Sequence, residues 1–515
     1  MIRTRDEAGK SPAVRSTRRS RVRMLYAGTQ PAGVEVDPVG GVALLQGWVR
    51  MTIRRPSGSA LLPTASLLSL ALLVAGCSAL RSYNAPLQHW DPNYGYRPIN
   101  SLAERPIGDV MLLLAFSGGG TRAAALSYGV LQELRDTRIA VEGYEERLLD
   151  EVDVISSVSG GSFTSAYYGL YGERIFFDYE ERFLRQNIQS QLIWALFNPL
   201  NWFDLFNSLF DRADLAVQIY NEDVFDHATF ADLQAADGPF IEINAADLGA
   251  GYRFTFFQPQ FDLICSDLSK LDVARAVAAS SAVPGAFSSI VLRNYSPACG
   301  LQRPAWWNEA LAARKESLRR YRAARIAESY VEGKRKYIHL VDGGVADNLG
   351  LRGPIDSITL VGGLRQRLDQ FDAQPPYIVV IVVNAEVHPE PEFTSSAISP
   401  SLGSTLNAVS GIQIYSYNFE TLELMHNSLD NWVKELPPDA RGRRTQAYLV
   451  ELAFDSIADR TEREFFHSIP TSFTLPDETV DRLIDVGRRL LRESPDYQRF
   501  LAALTASPGT AESAQ

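Results

Sequence analysis

Cysteine and histidine are scarce in this chain, with three and six residues among 515. Three cysteines cannot staple a disulfide minidomain, and their spacing fits no zinc motif, so neither a metal-held nor a disulfide-framework scaffold is expected. Positive charge is short as well: 50 Lys and Arg stand against 61 Asp and Glu, a formal charge of -11. Without a basic footprint, nucleic acid is not expected as a partner. No internal repeat is present, and no motif calls for a metal or a cofactor. A full membrane span is also missing, because the apolar stretch from Ala60 to Ala75 falls short of the ~20 residues a span needs and contains Pro63. What is present, 46% hydrophobic and 22% charged, suffices for a large buried core.

The apolar stretch reads better as a targeting signal. "MTIRRPSGSALLPTASLLSLALLVAGCSAL" has a basic start at Arg54 and Arg55, an apolar centre, and small residues before Cys77. Val74-Ala75-Gly76-Cys77 resembles the lipobox of bacterial lipoproteins, which implies removal of residues 51–76 and lipidation of Cys77. Ser78, where such proteins often carry an inner-membrane Asp, points to the outer membrane, facing the periplasm or the surface. Residues 1–50, Arg-rich and lacking a hydrophobic period, precede a signal that begins with its own Met51, and are expected to be a non-native or disordered leader. Without residues 1–76 the chain carries 39 Lys and Arg against 57 Asp and Glu, a charge of -18. In an oxidising compartment Cys265 and Cys299 are a possible disulfide.

Residues 77–108, with four prolines, are expected to be a tether from the lipid anchor. From residue 109 the pattern changes. "DVMLLLAF", "EVDVISSV", "FIEINAAD", "YIHLVDGG" and "YIVVIVVNA" are short continuous apolar runs, the signature of strands covered on both faces, and helix-like segments lie between them. This alternation predicts an α/β fold with a mostly parallel central sheet. The aromatic stretch 190–210 reads as core or cap helices, or as a lid over a lipid-binding mouth. Residues 389–515 are expected to form a mostly helical C-terminal extension ending in a disordered tail.

Five serines crowd "VDVISSVSGGSFTSAYYGL", from Val152 to Leu170. A sharp strand-to-helix turn can present a nucleophile, provided its neighbours two positions away are small. Ser159 fits, with Gly161 after it and Ser157 before it, giving S-x-S-x-G where G-x-S-x-G is usual. A serine attacks only when a base takes its proton and N–H donors await the oxyanion. Gly118, Gly119 and Gly120 of "FSGGGTR", ahead of a helix, can supply such donors, as can Gly160. Gly118, Gly120 and Ala123 also satisfy the dinucleotide pattern G-x-G-x-x-A, but the next strand ends in the serine turn where a ribose-binding acid belongs.

"GGGTR", "SVSGGS" and "DGG", in this order, resemble the patatin-like phospholipase family, with supporting blocks "NAADLGAGYRFTF", "AVAASSAVPGAF" and "VDGGVADNLG". The likeness runs from about Val110 to Val383. It implies a three-layer α/β fold over residues 109–388 and hydrolysis of lipid acyl esters by a Ser-Asp dyad. Carried over by motif, Ser159 is the nucleophile, Asp342 the base and Gly118–Gly120 the oxyanion loop. Gly161, Gly343 and Gly344 are motif glycines. Arg122 matches the basic position of the glycine motif, and Ala123 stands where that motif has another glycine.

Two alternatives stay open. His388 would complete a Ser159-Asp342-His388 triad in the chain order of α/β-hydrolases, giving a general carboxylesterase. His339, three residues before Asp342 on the same strand, is given a structural role. A non-catalytic lipid-binding envelope lipoprotein is the other. The expected substrate is a glycerophospholipid or another lipid ester, met at a membrane through the lipid anchor.

Overall fold

The computed structural model describes residues 84–141, 144–188, 190, 212–284, 287–388, 392–439 and 442–506. The expected leader, the signal peptide, Cys77, residues 191–210 and the tail from residue 507 lie outside these residues.

Mainly apolar runs must be covered on both faces, and they form the middle of an eight-stranded sheet, in which Asp153, Glu242 and Asn244 are buried along with their apolar neighbours. Its strands are β1 (Val110–Phe116), β2 (Val152–Val158), β3 (Phe240–Asp247), β4 (Tyr252–Thr255), β5 (Ile290–Arg293), β6 (Tyr337–Val341), β7 (Tyr377–Asn384) and β8 (Gln446–Ala453). The order is β8-β7-β1-β2-β3-β6-β5, with β4 on β3. The run from β8 to β3 is parallel. β4, β6 and β5 join antiparallel. Every residue of β1, β2, β3 and β7 is buried. Helices flank this sheet: α1 (Thr121–Asp136), α2 (Gly160–Tyr171), α3 (Val273–Ser280), α4 (Leu318–Val331), α5 (Arg352–Val361), α6 (Leu402–Glu435), α7 (Asp477–Glu493) and α8 (Pro495–Thr505). The expected α/β architecture with a mostly parallel sheet and a helical C-terminal region is the one observed. Among the described residues no helix is long and apolar enough to cross a membrane.

Register sets up the site. β2 pairs with β3 as far as Val158 opposite Asn244, and β6 pairs with β3 at Ala246 and Asp247 from the opposite direction. β4 occupies the other edge of β3 from Asn244 to Asp247, so β2 and β6 share one edge and meet there end to end. The residues following Val158 and Val341 are thereby delivered to the same place.

Two boundaries differ from the sequence reading. From residue 84 the segment expected to be a tether is packed on the domain. Ala85 and Pro86 pair with Asp267 and Ser266, Tyr96 is buried against Phe240 and Phe230, and Arg97 forms a buried 2.6 Å ion pair with Asp262. Its prolines signalled a linker, whereas its aromatic and arginine side chains decide the outcome. The C-terminal region also holds β8, an edge strand parallel to β7. Its outer residues are half exposed, which leaves "QAYLVELA" without the continuous apolar run of a central strand.

Helix α7 lies directly on α1. A Cβ at Gly129 would sit 2.1 Å from the Ile484 carbonyl oxygen, and one at Gly487 would sit 2.5 Å from that of Leu126. Arg492 donates to both oxygens of Glu133, at 2.7 and 2.6 Å. Cys265 and Cys299 are disulfide-bonded, close to Leu87 of the N-terminal segment.

Candidate active site

Val158 ends β2, and Gly160 begins α2. Ser159 between them has φ 50° and ψ −120°, a conformation that disfavours a side chain and costs on the order of 1–3 kcal/mol. Its neighbours hold it there. The Ser159 N–H donates to Ser280 Oγ at 2.8 Å, and Ser280 Oγ donates to the Asn244 carbonyl at 2.6 Å. The following glycines leave no room for anything larger. A Cβ at Gly160 would lie 2.0 Å from the Gly120 carbonyl oxygen, and one at Gly161 would lie 2.7 Å from Phe116 Cβ.

Ser157 is fully buried yet does not crowd the turn. Its Oγ donates to the Glu242 carbonyl at 3.2 Å and accepts from Ser165 Oγ at 2.6 Å, so its side chain fills the junction of β2, β3 and α2. Ser156, Ser162 and Ser165 are likewise buried and bonded internally, to Gly350, Ser280 and Ser157.

Asp342 follows β6 and arrives opposite Ser159. Its backbone is tied to α3 and the loop after it, with Asp342 N–H donating to Ala282 O at 2.9 Å and Gly343 N–H to Ser280 O at 3.0 Å. Gly343 permits this approach, since a Cβ there would fall 2.2 Å from the Asn244 carbonyl oxygen. Ser159 Oγ donates to Asp342 Oδ2 at 2.8 Å, and Gly344 N–H donates to Oδ1 at 2.8 Å. The two residues are only 4% and 8% exposed. Burial pushes the Asp342 carboxyl from 3.8 up to about 6, although the bonds from Gly344 and Ser159 pull the other way.

The glycine loop turns over Ser159 through positive φ at Gly119 (144°) and Gly120 (60°). Gly118, expected as an oxyanion donor, is committed elsewhere: its N–H donates to Asn348 O at 3.0 Å. The N–H groups of Gly119, Gly120 and Gly160 have no hydrogen-bond acceptor among the described residues. This leaves three backbone donors beside the hydroxyl, an arrangement suited to a developing oxyanion.

Arg122 is buried and does not reach the Ser-Asp pair. Its Nε donates to Ala385 O at 3.0 Å, Nη1 to Ile469 O at 2.6 Å and Nη2 to Thr471 Oγ1 at 3.1 Å. Thr121 N–H donates to Ser472 O at 2.9 Å. The glycine loop is therefore pinned by residues 469–472 of the C-terminal region. Those residues, Ser280 and Asn348 were not singled out from sequence. Ser280 and Asn348 do fall in the motif blocks "AVAASS" and "VADNLG", but nothing in sequence alone points residues 469–472 at a loop 350 positions earlier.

No histidine is within hydrogen-bonding distance of Ser159 or Asp342. His388 is half exposed, facing Glu386 at 3.6 Å and Asp455 at 3.9 Å, with its ring beside Tyr415 and His467. His339 meets Ser289 Oγ at 3.3 Å. Among the described residues no group of three or more His, Cys, Asp or Glu side chains is placed to hold a metal ion.

Residues 114–355 match the family model described as Patatin-like phospholipase. The glycine loop, Ser159 and Asp342 all lie within the matched residues. Solved structures similar to the chain include human GIVD cytosolic phospholipase A2, at 12% identity and TM-score 0.41, covering 83% of this chain and 66% of that one. The chain thus spans slightly less than two thirds of the human protein. VipD from Legionella pneumophila is similar at 12% identity and TM-score 0.27, covering 77% of this chain and 67% of that one. No curated protein matches the chain.

Proposed function

We propose that the chain is a lipid acyl hydrolase that cleaves fatty acyl esters of glycerophospholipids through a Ser159-Asp342 dyad and an acyl-enzyme intermediate. The observation that carries this reading is the 2.8 Å bond from Ser159 Oγ to a buried Asp342 carboxylate, next to the unengaged N–H groups of Gly119, Gly120 and Gly160. Asp342 accepts the Ser159 proton as Oγ adds to the ester carbonyl. The three N–H groups hold the oxyanion. Collapse expels the lysolipid oxygen, which takes the proton back from Asp342. Water then gives its proton to Asp342 and attacks the acyl-enzyme, and the fatty acid leaves as Ser159 is reprotonated.

An ordinary aspartate is a weak base, and burial of Asp342 raises its basicity toward the range this role requires. The triad alternative has no comparable support, since His388 is engaged with Glu386 and Asp455. Meeting substrate at a lipid surface fits the exposed apolar side chains Val409, Ile412 and Phe419, which share one face of α6. In this reading lipidated Cys77 tethers the domain to the bacterial envelope, at the outer membrane.

The test uses the purified mature chain on phospholipid micelles and on short soluble esters, with a fluorophosphonate probe. Phospholipid turnover and probe labelling, both lost in Ser159→Ala, are expected. Preference for soluble esters would favour a carboxylesterase. Absence of both labelling and turnover would leave a binding protein.

A further inference from the structure

A cavity of about 770 Å³ opens between β3, β4, α4, α5 and the N-terminal segment, and neither Ser159, Asp342 nor the glycine loop lines it. Its size is that of a small-molecule site, ~300–1,000 Å³. The walls are broad and apolar, built by Trp90, Phe257, Leu263, Trp306, Trp307 and Leu360. A smooth aromatic and aliphatic surface of this kind accepts a flexible hydrocarbon chain without demanding directional bonds.

Polar atoms in the lining are left without partners. Glu242, 6% exposed, has an Oε2 with no hydrogen bond, and Trp307, 0% exposed, has an unbonded Nε1. Nε of Arg253 and Nε of Arg367 are also unbonded. These four atoms are closed off even to water, so they are not contact points for an occupant, and they mark an under-satisfied polar wall behind the cavity lining. Three of the four atoms are N–H donors, so this wall is richer in donors than in acceptors.

The charges narrow the choice. Arg97 pairs with Asp262 at 2.6 Å, and Arg253 pairs with Asp356 at 3.3 Å. Arg367 lies within ion-pair distance of no carboxylate among the described residues. Its Nη atoms donate to Gln370 Oε1 at 3.0 Å and to the Ser357 carbonyl. A mostly buried guanidinium that no carboxylate contacts directly is costly, and one anionic group bonded to it lowers that cost. Glu242 close by disfavours a doubly charged head, leaving a monoanion.

We infer that this cavity is a second ligand site, distinct from the Ser-Asp pair, for a long-chain carboxylate. Its hydrocarbon chain lies along Trp306 and Leu360, and its carboxylate accepts from the Nη groups of Arg367. The inference stands on the cavity alone and is independent of the reaction proposed above.

The experiment is calorimetric titration of the full mature chain, with Ser159 blocked by a fluorophosphonate or replaced in Ser159→Ala. The probes are oleate, oleyl alcohol and oleyl phosphate. Oleate is expected to bind one to one and at least tenfold more tightly than oleyl alcohol or oleyl phosphate. Arg367→Gln is expected to weaken oleate by about tenfold or more while changing oleyl alcohol less than threefold. Leu360→Trp, which puts an indole where the hydrocarbon chain lies, weakens both. Brominated stearate locates the chain by quenching tryptophan emission, and a Trp306→Phe, Trp307→Phe double variant loses most of that quenching. Equal binding of oleate and oleyl alcohol, tighter binding of oleyl phosphate, or no binding once Ser159 is blocked would each overturn the inference. Should Arg367→Gln fail to fold, the oleate-to-alcohol ratio and the quenching of the otherwise unaltered chain decide it.

Discussion

Asp342→Asn separates what the carboxylate does for the reaction from what it costs the fold. The substitution keeps the shape and both hydrogen-bonding positions: Oδ1 still accepts from Gly344 N–H, and the amide can donate to Ser159 Oγ where Oδ2 now accepts from it. Burial raises the carboxyl from 3.8 to about 6 in the folded state. Because the folded value is the higher one, Asp342 contributes full stability below about pH 4, where it is protonated in both states. That contribution is lost as pH rises through about 6. A gap of about two pH units at ~1.4 kcal/mol each makes the ionised carboxylate cost roughly 3 kcal/mol at pH 7 to 8. Asn has no proton to lose, so the variant should gain up to about 3 kcal/mol over the unaltered protein at pH 8 and nothing at pH 4. Asp153 and Asp347, also raised by burial to about 7 and about 6, add their own pH dependence to both proteins and cancel in the difference. Urea unfolding from pH 4 to 8 measures it. Hydrolysis should meanwhile fall by about 10²–10⁴-fold, and the kcat/KM of the unaltered protein should decline below about pH 6 as Asp342, the proposed base, is protonated. A stability difference that stays flat with pH, or a variant with near-normal turnover, would refute the reasoning.

Three further predictions concern the frame around the dyad. Gly160→Ala places a Cβ 2.0 Å from the Gly120 carbonyl oxygen, and should lower turnover and fluorophosphonate labelling by about a hundredfold or more, although alanine is the better helix former. Ser157→Ala removes the hydroxyl between Ser165 and Glu242, which should cost about 1 kcal/mol in a urea melt and leave turnover within a few-fold. Arg122→Gln frees Ala385, Ile469 and Thr471, and should slow labelling of Ser159 and lower stability by about 2 kcal/mol, with Arg122→Lys unable to restore three bonds in three directions.

Much of this was legible in sequence because it rests on short-range rules. Continuous apolar runs mark the central strands, and a serine followed by two glycines at a strand end marks the turn. Asp342 came from motif resemblance, not from spacing. What was hidden depends on contacts far apart in the chain. Gly118 looks like its two neighbours in sequence, and only the position of the Asn348 carbonyl withdraws its N–H from the donor set. β8 gave no strand signal because an edge strand needs cover on one side only. The N-terminal segment read as a linker since four prolines outweigh a few anchors on any composition scale, yet Tyr96 and the Arg97–Asp262 pair suffice to fix it.

The departure from G-x-S-x-G at Ser157 shows what such a pattern encodes physically. A glycine is required where another backbone approaches within van der Waals contact, and the approaching backbone is a property of the whole site. At positions 160 and 161 it is the glycine loop and the end of β1, which leave 2.0 and 2.7 Å for a Cβ that cannot fit. At position 157 the neighbours are the Ser165 side chain and the Glu242 carbonyl, and both offer hydrogen bonds to a hydroxyl. Serine is therefore accommodated on the strand side of the turn and excluded on the helix side. The close approach after Ser159 brings the glycine loop over the hydroxyl, and the end-to-end meeting of β2 and β6 supplies the carboxylate, so nothing in either contact depends on a glycine at 157.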